Sequence, residues 1–251
     1  MPERAPSSPR WLMAFAAIAF CLLTGLGIWQ LQRLTQKEAL LAAIAERSTG
    51  APVALPSPAE WPTLDPRGYD YRHVTASGTF EHRKEALVFR VLEGGRARLS
   101  EPGFLVLTPL RLASGDAVIV NRGFVPQAMG DAASRAAAQL AGTVTVNGLM
   151  RPPEPRNLFT PADLPAQNLW YSRDPAAIAV ARGLDRAAPF TIDADATPNP
   201  GGWPLGGQTV LAIRNDHLAY AMTWFGLALT LLGVVAAFVW KRPGRTPASS
   251  P

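Results

Sequence analysis

The chain has 251 residues, 48% of them hydrophobic, one cysteine and a formal net charge of +5, a size that allows one ordinary domain plus accessories. Five basic residues (Arg4, Arg10, Lys241, Arg242, Arg245) and one acidic residue (Glu3) lie in the tails 1–10 and 241–251, leaving 19 basic against 18 acidic residues between them. This near-balance, with no basic stripe and no interleaved aromatics, argues against a nucleic-acid partner; basic tails beside apolar runs follow instead from the positive-inside rule.

The first element is an apolar run of about 21 residues, Trp11 to Leu31, long enough to cross a bilayer core. It exceeds the h-region of a signal peptide, and the bulky "LGIWQLQR" that follows has no small-x-small cleavage site, so an uncleaved anchor is expected. Cys21 lies inside this run, which leaves the exported part without disulfides or a thiolate metal ligand. "LQRLTQKEALLAAIAERS" keeps helical spacing, with Leu34, Leu41 and Ile44 on one side. It predicts a helical extension over 32–48, ended by the Pro-rich "GAPVALPSPAEWP" at 50–62.

Strand-like segments come next: 69–80, 86–92 before a Gly94–Gly95 turn, then 103–112 and 117–126 joined through "ASGD" as the clearest hairpin. Residues 127–142 are Ala-rich, a short helix or a loop, and 143–151 is a strand with strict alternation. After a Pro-rich loop and a short strand in "NLWYSR", residues 174–184 read as a helix with Asp174 as N-cap and Pro175 at its first position. "PFTIDAD" and "GQTVLAIR" complete the strands. A second apolar run of about 23 residues, Leu218 to Trp240, then stops transfer.

The reading is an α+β membrane protein. It has a cytoplasmic tail (1–10), a transmembrane helix (11–31), a periplasmic β-rich, barrel-like, mainly antiparallel domain (32–217), a second transmembrane helix (218–240) and a second cytoplasmic tail (241–251). The ten-residue basic tail is short for a mitochondrial transit peptide, so a bacterial inner membrane is expected.

Catalytic patterns are absent: there is no nucleophile elbow, P-loop or dinucleotide fingerprint, and three scattered histidines give no metal spacing. His73 and His82 read as surface or satisfied histidines; Asp193 and Asp195 could pair as acid and base, but weakly. The informative residues stand where the two spans meet the exported side. Trp29, Gln30 and Arg33 share the exit of the first helix. His217, Tyr220, Ala221 and Trp224 fall at i, i+3, i+4 and i+7 on the second, with Asn215 or Asp216 able to cap it. Spacing alone favours an interfacial aromatic belt. The functional alternative is a pocket with an aromatic wall, one imidazole and a cation from Arg33 or Arg214, which suits a haem with propionate tails. Small residues (Ala17, Cys21, Gly25; Gly226, Thr230, Gly233, Ala237) could dock the helices on each other or on a partner.

In chain order, "GIWQLQR" at 27–33, "YRHVTASGTF" at 71–80, "LTPLRLASGDAVIVNRGFVP" at 107–126, "FTPADLPAQNLWYSRD" at 159–174 and "GGQTVLAIRNDHLAYAMTWF" at 206–225 resemble the Surfeit locus protein 1 family. Its members are membrane factors for assembly of haem-copper cytochrome c oxidase. Gln36 and Phe124 depart from the tryptophans usual in the family. The resemblance implies a non-enzymatic role in maturing the catalytic oxidase subunit, with haem a passed from its synthase. His217 becomes the candidate iron ligand, with Tyr220, Trp224, Trp29, Gln30 and Arg33 around it. The expected partners are that subunit, haem a synthase and membrane lipid. A haem-free docking scaffold and a membrane-anchored sensor or enzyme are the competing readings.

Overall fold

The computed structural model describes residues 9–91, 102–209 and 215–241. They fall into two compact units, one of residues 9–42 and 215–241, the other of residues 43–91 and 102–209.

The first unit is a pair of helices, each long and apolar enough to cross a membrane. Helix α1 (Pro9–Thr49) runs without a break because its sequence is rich in Ala, Leu and other good helix formers and has no internal proline. Gly50 follows it, and the Ser48 and Thr49 hydroxyls donate to the Ala45 carbonyl in its last turn. Helix α4 (His217–Trp240) carries no charged side chain. Asp216 occupies its N-cap position, but its side chain makes no capping hydrogen bond to the helix, so the expected cap is not formed.

The second unit is a β-barrel. Strands β2 (His73–Phe80), β6 (Thr143–Arg151), β8 (Ala187–Ala194), β5 (Ala117–Pro126) and β4 (Pro102–Leu112) are hydrogen-bonded in that order, and β2 pairs again with β4 to close the ring. All pairings in the ring are antiparallel except β5–β8, as expected for a mainly antiparallel, barrel-like domain. Closure depends on Gly78, whose missing side chain lets the Arg111 carbonyl of β4 approach; an added Cβ would stand 2.3 Å from that oxygen. Strand β1 (Val53–Ala54) lies parallel to β2 at one edge. β3 (Ala86–Val91) extends the sheet beyond β4, and β7 (Leu169–Trp170) pairs with β3.

The period-2 pattern decides what fills the barrel. Val74, Ala76 and Phe80 of β2 point into one apolar cluster with Leu110, Val118, Val120, Met150, Phe190 and Ile192, closed off by Trp61 and by Tyr69 of the short helix α2 (Pro66–Tyr69). Phe190 stands at its centre with Trp61 edge-on at 5.7 Å. A second core lies on the outer face of β3, β4 and β5, under α3 (Pro175–Ala181), where Ile178, Trp170, Leu107 and Phe124 are buried. Helix α3 starts as its sequence predicts: the Asp174 carboxylate accepts from the Ala176 and Ala177 amides, and Pro175 takes the first position.

The Ala-rich segment 127–142 holds two short 3-10 turns, at Gln127–Met129 and Ala132–Ala138. The expected last strand is not formed over Gly207–Thr209, because this stretch turns: Gly207 has φ +68° and its amide donates to the Ala194 carbonyl. The rest of that strand and the Gly94–Gly95 turn lie outside the described residues.

Candidate functional site

Helices α1 and α4 pack through a narrow seam. Gly27 is buried, and a Cβ there would come within 2.7 Å of the Phe225 ring, so glycine is what permits the contact. One turn further along α1, Gln30 is 9% exposed. A carboxamide withdrawn from water on a membrane helix needs a hydrogen-bond partner. It finds one in His217, the first residue of α4, whose Nδ1 lies 2.8 Å from Gln30 Oε1. With a carbonyl oxygen as neighbour, Nδ1 is the donor, and in the neutral tautomer this contact selects, the lone pair is on Nε2. Ala221 and Ala228 continue the seam one and three turns below His217.

The other expected residues divide around this pair. Trp224 is partly buried, and its indole N–H has no acceptor among the described residues. Tyr220 and Trp29 are exposed at the flanks. The Arg33 guanidinium lies 5.7 Å from the Trp29 ring, donates to Gln36 Oε1 at 3.2 Å and forms no ion pair among the described residues. Gln36 thus steadies Arg33. Arg214 lies outside the described residues. The small residues do not line the seam: Ala17, Cys21, Thr230 and Ala237 are exposed, and nothing lies within 4 Å of where a Cβ would stand on Gly25, Gly226 or Gly233. They face away from the helix pair, so they do not dock the helices on each other.

In the barrel unit the other two histidines have partners. His73 uses both nitrogens, Nδ1 to the Gly50 carbonyl at 2.8 Å and Nε2 to Asp195 Oδ2 at 2.9 Å. Both contacts call for N–H, and although burial alone would lower its pKa, they hold it above the ordinary histidine value. His82 Nε2 is 3.0 Å from the Leu140 carbonyl, and burial pushes its pKa down. Asp193 and Asp195 do not work as a pair. Asp193 accepts from Asn121 at 2.9 Å, Arg173 at 2.5 Å and Thr209 at 2.8 Å, whereas Asp195 holds His73. Burial of Asp193 would raise its pKa, but the Arg173 charge, the Asn121 amide and Arg151 outweigh it and hold the carboxyl below its ordinary value. A second buried pair, Arg135 with Glu85 at 2.7 Å, lies elsewhere in the unit. No sequence signal marks any of these partnerships. Among the described residues, no three or more His, Cys, Asp or Glu side chains gather as a metal site.

The SURF1 family model matches residues 17–229. The chain belongs to the SURF1 family. That family is generally known for assembly of cytochrome c oxidase. Among relatives, it is 43% identical to a SURF1-like protein of Monosiga brevicollis over 82% of this chain and 80% of that protein. It is 35% identical to Surfeit locus protein 1 of Rattus norvegicus over 94% of this chain and 77% of that protein. With Surfeit locus protein 1 of Homo sapiens the identity is 36% over 81% of this chain and 69% of that protein. The match spans both helices in large part and the whole barrel, so SURF1 membership covers both units.

Proposed function

We propose that this SURF1-family chain serves assembly of haem-copper cytochrome c oxidase by holding haem a, as cargo, at the exported ends of its two membrane helices. The observation that carries the reading is the Gln30–His217 hydrogen bond. A partner on Nδ1 fixes the tautomer and orientation of an imidazole that ligates metal through its other nitrogen, and it raises that nitrogen's basicity. Three further features fit a haem: the unpartnered Trp224 N–H, the exposed aromatic faces of Trp29 and Tyr220, and an Arg33 cation free of acidic partners among the described residues. Arg33 and Arg214 are suited to propionates. One protein ligand suits a carrier, which must release its cargo.

The proposed givers and takers are haem a synthase and the catalytic oxidase subunit, with lipid around the helices. No covalent bond of the cargo is made or broken by the chain in this reading; only the coordination to His217 forms and is released. The basic residues at 4, 10, 241, 242 and 245 favour a cytoplasmic location for both tails, in a bacterial inner membrane, with the barrel in the periplasm. A haem-free scaffold is favoured by one observation, the outward small-residue faces of both helices, which would let a membrane partner approach closely.

Complementation tests the assembly reading. In a bacterium deleted for its own family member, expression of this chain restores haem a-containing oxidase. Expression at normal level without any gain in oxidase haem a overturns the reading.

A further inference from the structure

The "NRGF" segment of β5 contains a cation that the haem reading does not use. Arg122 is 3% exposed and points from the barrel wall to the Phe80 ring, 4.8 Å from the ring centroid. Its hydrogen bonds both come from Nη2, to the Ala138 carbonyl at 2.6 Å and to Asn199 Oδ1 at 2.9 Å. Nε and Nη1 have no hydrogen-bond partner among the described residues. Neither does Arg122 form an ion pair among them. Glu85, the carboxylate whose charge reaches it, is committed to Arg135. Burial pushes the Arg122 pKa down to about 10, the mark of a cation withdrawn from water without full compensation.

Beside this guanidinium is a cavity. Strand β6 pairs with β8 over Gly148–Arg151, and the Asn147 carbonyl accepts from the Asp195 amide, so its first residues, 143–146, leave the barrel open on that side. The opening leads to a pocket of about 310 Å³ lined by Phe80, Val120, Val144, Val146, Arg122 and Asn199 among others. Its lining is mixed, an apolar wall of Phe80, Val120, Val144 and Val146 facing the polar Arg122, Asp195 and Asn199, and its volume is at the small end of the range for small-molecule sites, about 300–1,000 Å³. Gly123, next to Arg122 in the chain, fixes the strand at this point. Its φ of +122° and the approach of the Leu205 carbonyl exclude any side chain, and Phe124 bonds Leu205 in both directions at 2.9 Å.

We propose that this mouth of the barrel binds a small organic monocarboxylate, its apolar or aryl body on Phe80, Val120, Val144 and Val146 and its carboxylate on a free N–H of the Arg122 guanidinium. With Nη2 committed to Ala138 and Asn199, the guanidinium has one remaining N–H at a time to offer a carboxylate, a single charge-assisted hydrogen bond that is stronger than a neutral one. A second negative charge is disfavoured, because Asp195 also lines the pocket and one cation is available. The site is independent of the helix pair and of the haem reading.

The test uses the full chain in detergent, with 4-(trifluoromethyl)benzoate as the probe and 19F NMR as the readout, against empty micelles. Saturable binding is expected, at least about tenfold tighter than that of 4-(trifluoromethyl)benzamide and not competed by inorganic phosphate. Arg122→Met lowers affinity at least about tenfold. Val146→Trp, which fills the pocket and keeps the cation, abolishes binding and decides the matter if Arg122→Met does not fold. Equal affinity for the benzamide, wild-type affinity in either folded variant, or no saturable binding up to about 10 mM overturns the proposal.

Discussion

Asp193 separates a structural from a catalytic barrel. Its carboxylate is buried against Arg173, which is itself 5% exposed on its side chain, and Asn121 and Thr209 complete the set. Asp193→Asn keeps the shape and removes the charge. Arg173 is then a buried cation with Glu154 alone, 3.4 Å from its Nη2. Breaking a buried pair costs about 3–5 kcal/mol, and the remaining Glu154 puts the loss here near the lower end, about 3 kcal/mol. For a unit the size of residues 43–211, about 2–4 °C per kcal/mol converts this to a fall in Tm of about 6–12 °C at pH 7. The assay is thermal unfolding followed by near-UV circular dichroism, to which the buried Trp170 contributes. Acid adds a second check. A carboxyl held below its ordinary value contributes stability above the unfolded value of about 3.9, and that stability is lost as pH falls through the folded value. The gap between wild type and variant therefore closes below about pH 4. A variant Tm within about 2 °C of wild type at pH 7 refutes the reasoning, since that is under 1 kcal/mol.

Other consequences follow from the same geometry. Arg135→Met strands the Glu85 carboxylate in the interior and costs about 3–5 kcal/mol in urea unfolding; a loss under about 1 kcal/mol contradicts a buried, essential pair. His73 has a raised pKa, so its contribution is fully present below the unfolded value of about 6.5 and is lost as pH rises through the folded value. His73→Gln should therefore lower Tm more at pH 5.5 than at pH 8.5, and the reverse order would remove the Asp195 partnership from the account. In the helix pair, Gln30→Leu takes away the Nδ1 acceptor and should weaken haem a binding about 10–100-fold by titration, with Gln30→Glu retaining it. Unchanged affinity in Gln30→Leu would leave His217 without its proposed orienting partner.

Local patterns made much of the barrel legible. Strand 117–126 appears where the "ASGD" turn puts it, and 143–151 where alternation does, because a half-buried strand writes its two faces directly into the sequence. Asp174 and Pro175 announced α3 by capping chemistry alone. Closure was not legible, since it depends on Gly78 meeting Arg111 across the ring and on β5 lying parallel to β8 about 70 residues later. The helix-end residues were readable as a face but not as a bond: no periodic signal couples Gln30 to His217, which are 187 positions apart. The small-residue stripes left two uses open, each other or a partner, because spacing shows that a face is smooth and not which neighbour uses it; the fold removes the first. Arg122 was visible only as one letter of a strand motif; its burial comes from the tertiary fold.

The central claim is that His217 holds the iron of haem a. The direct measurement is the absorption spectrum of the chain purified from cells that make haem a, beside that of His217→Ala prepared in the same way. The wild type is expected to carry haem a with an imidazole-ligated spectrum, and the variant to lose the haem or change its spectrum. Wild-type protein free of haem, or a His217→Ala variant with full haem and an unchanged spectrum, contradicts the account.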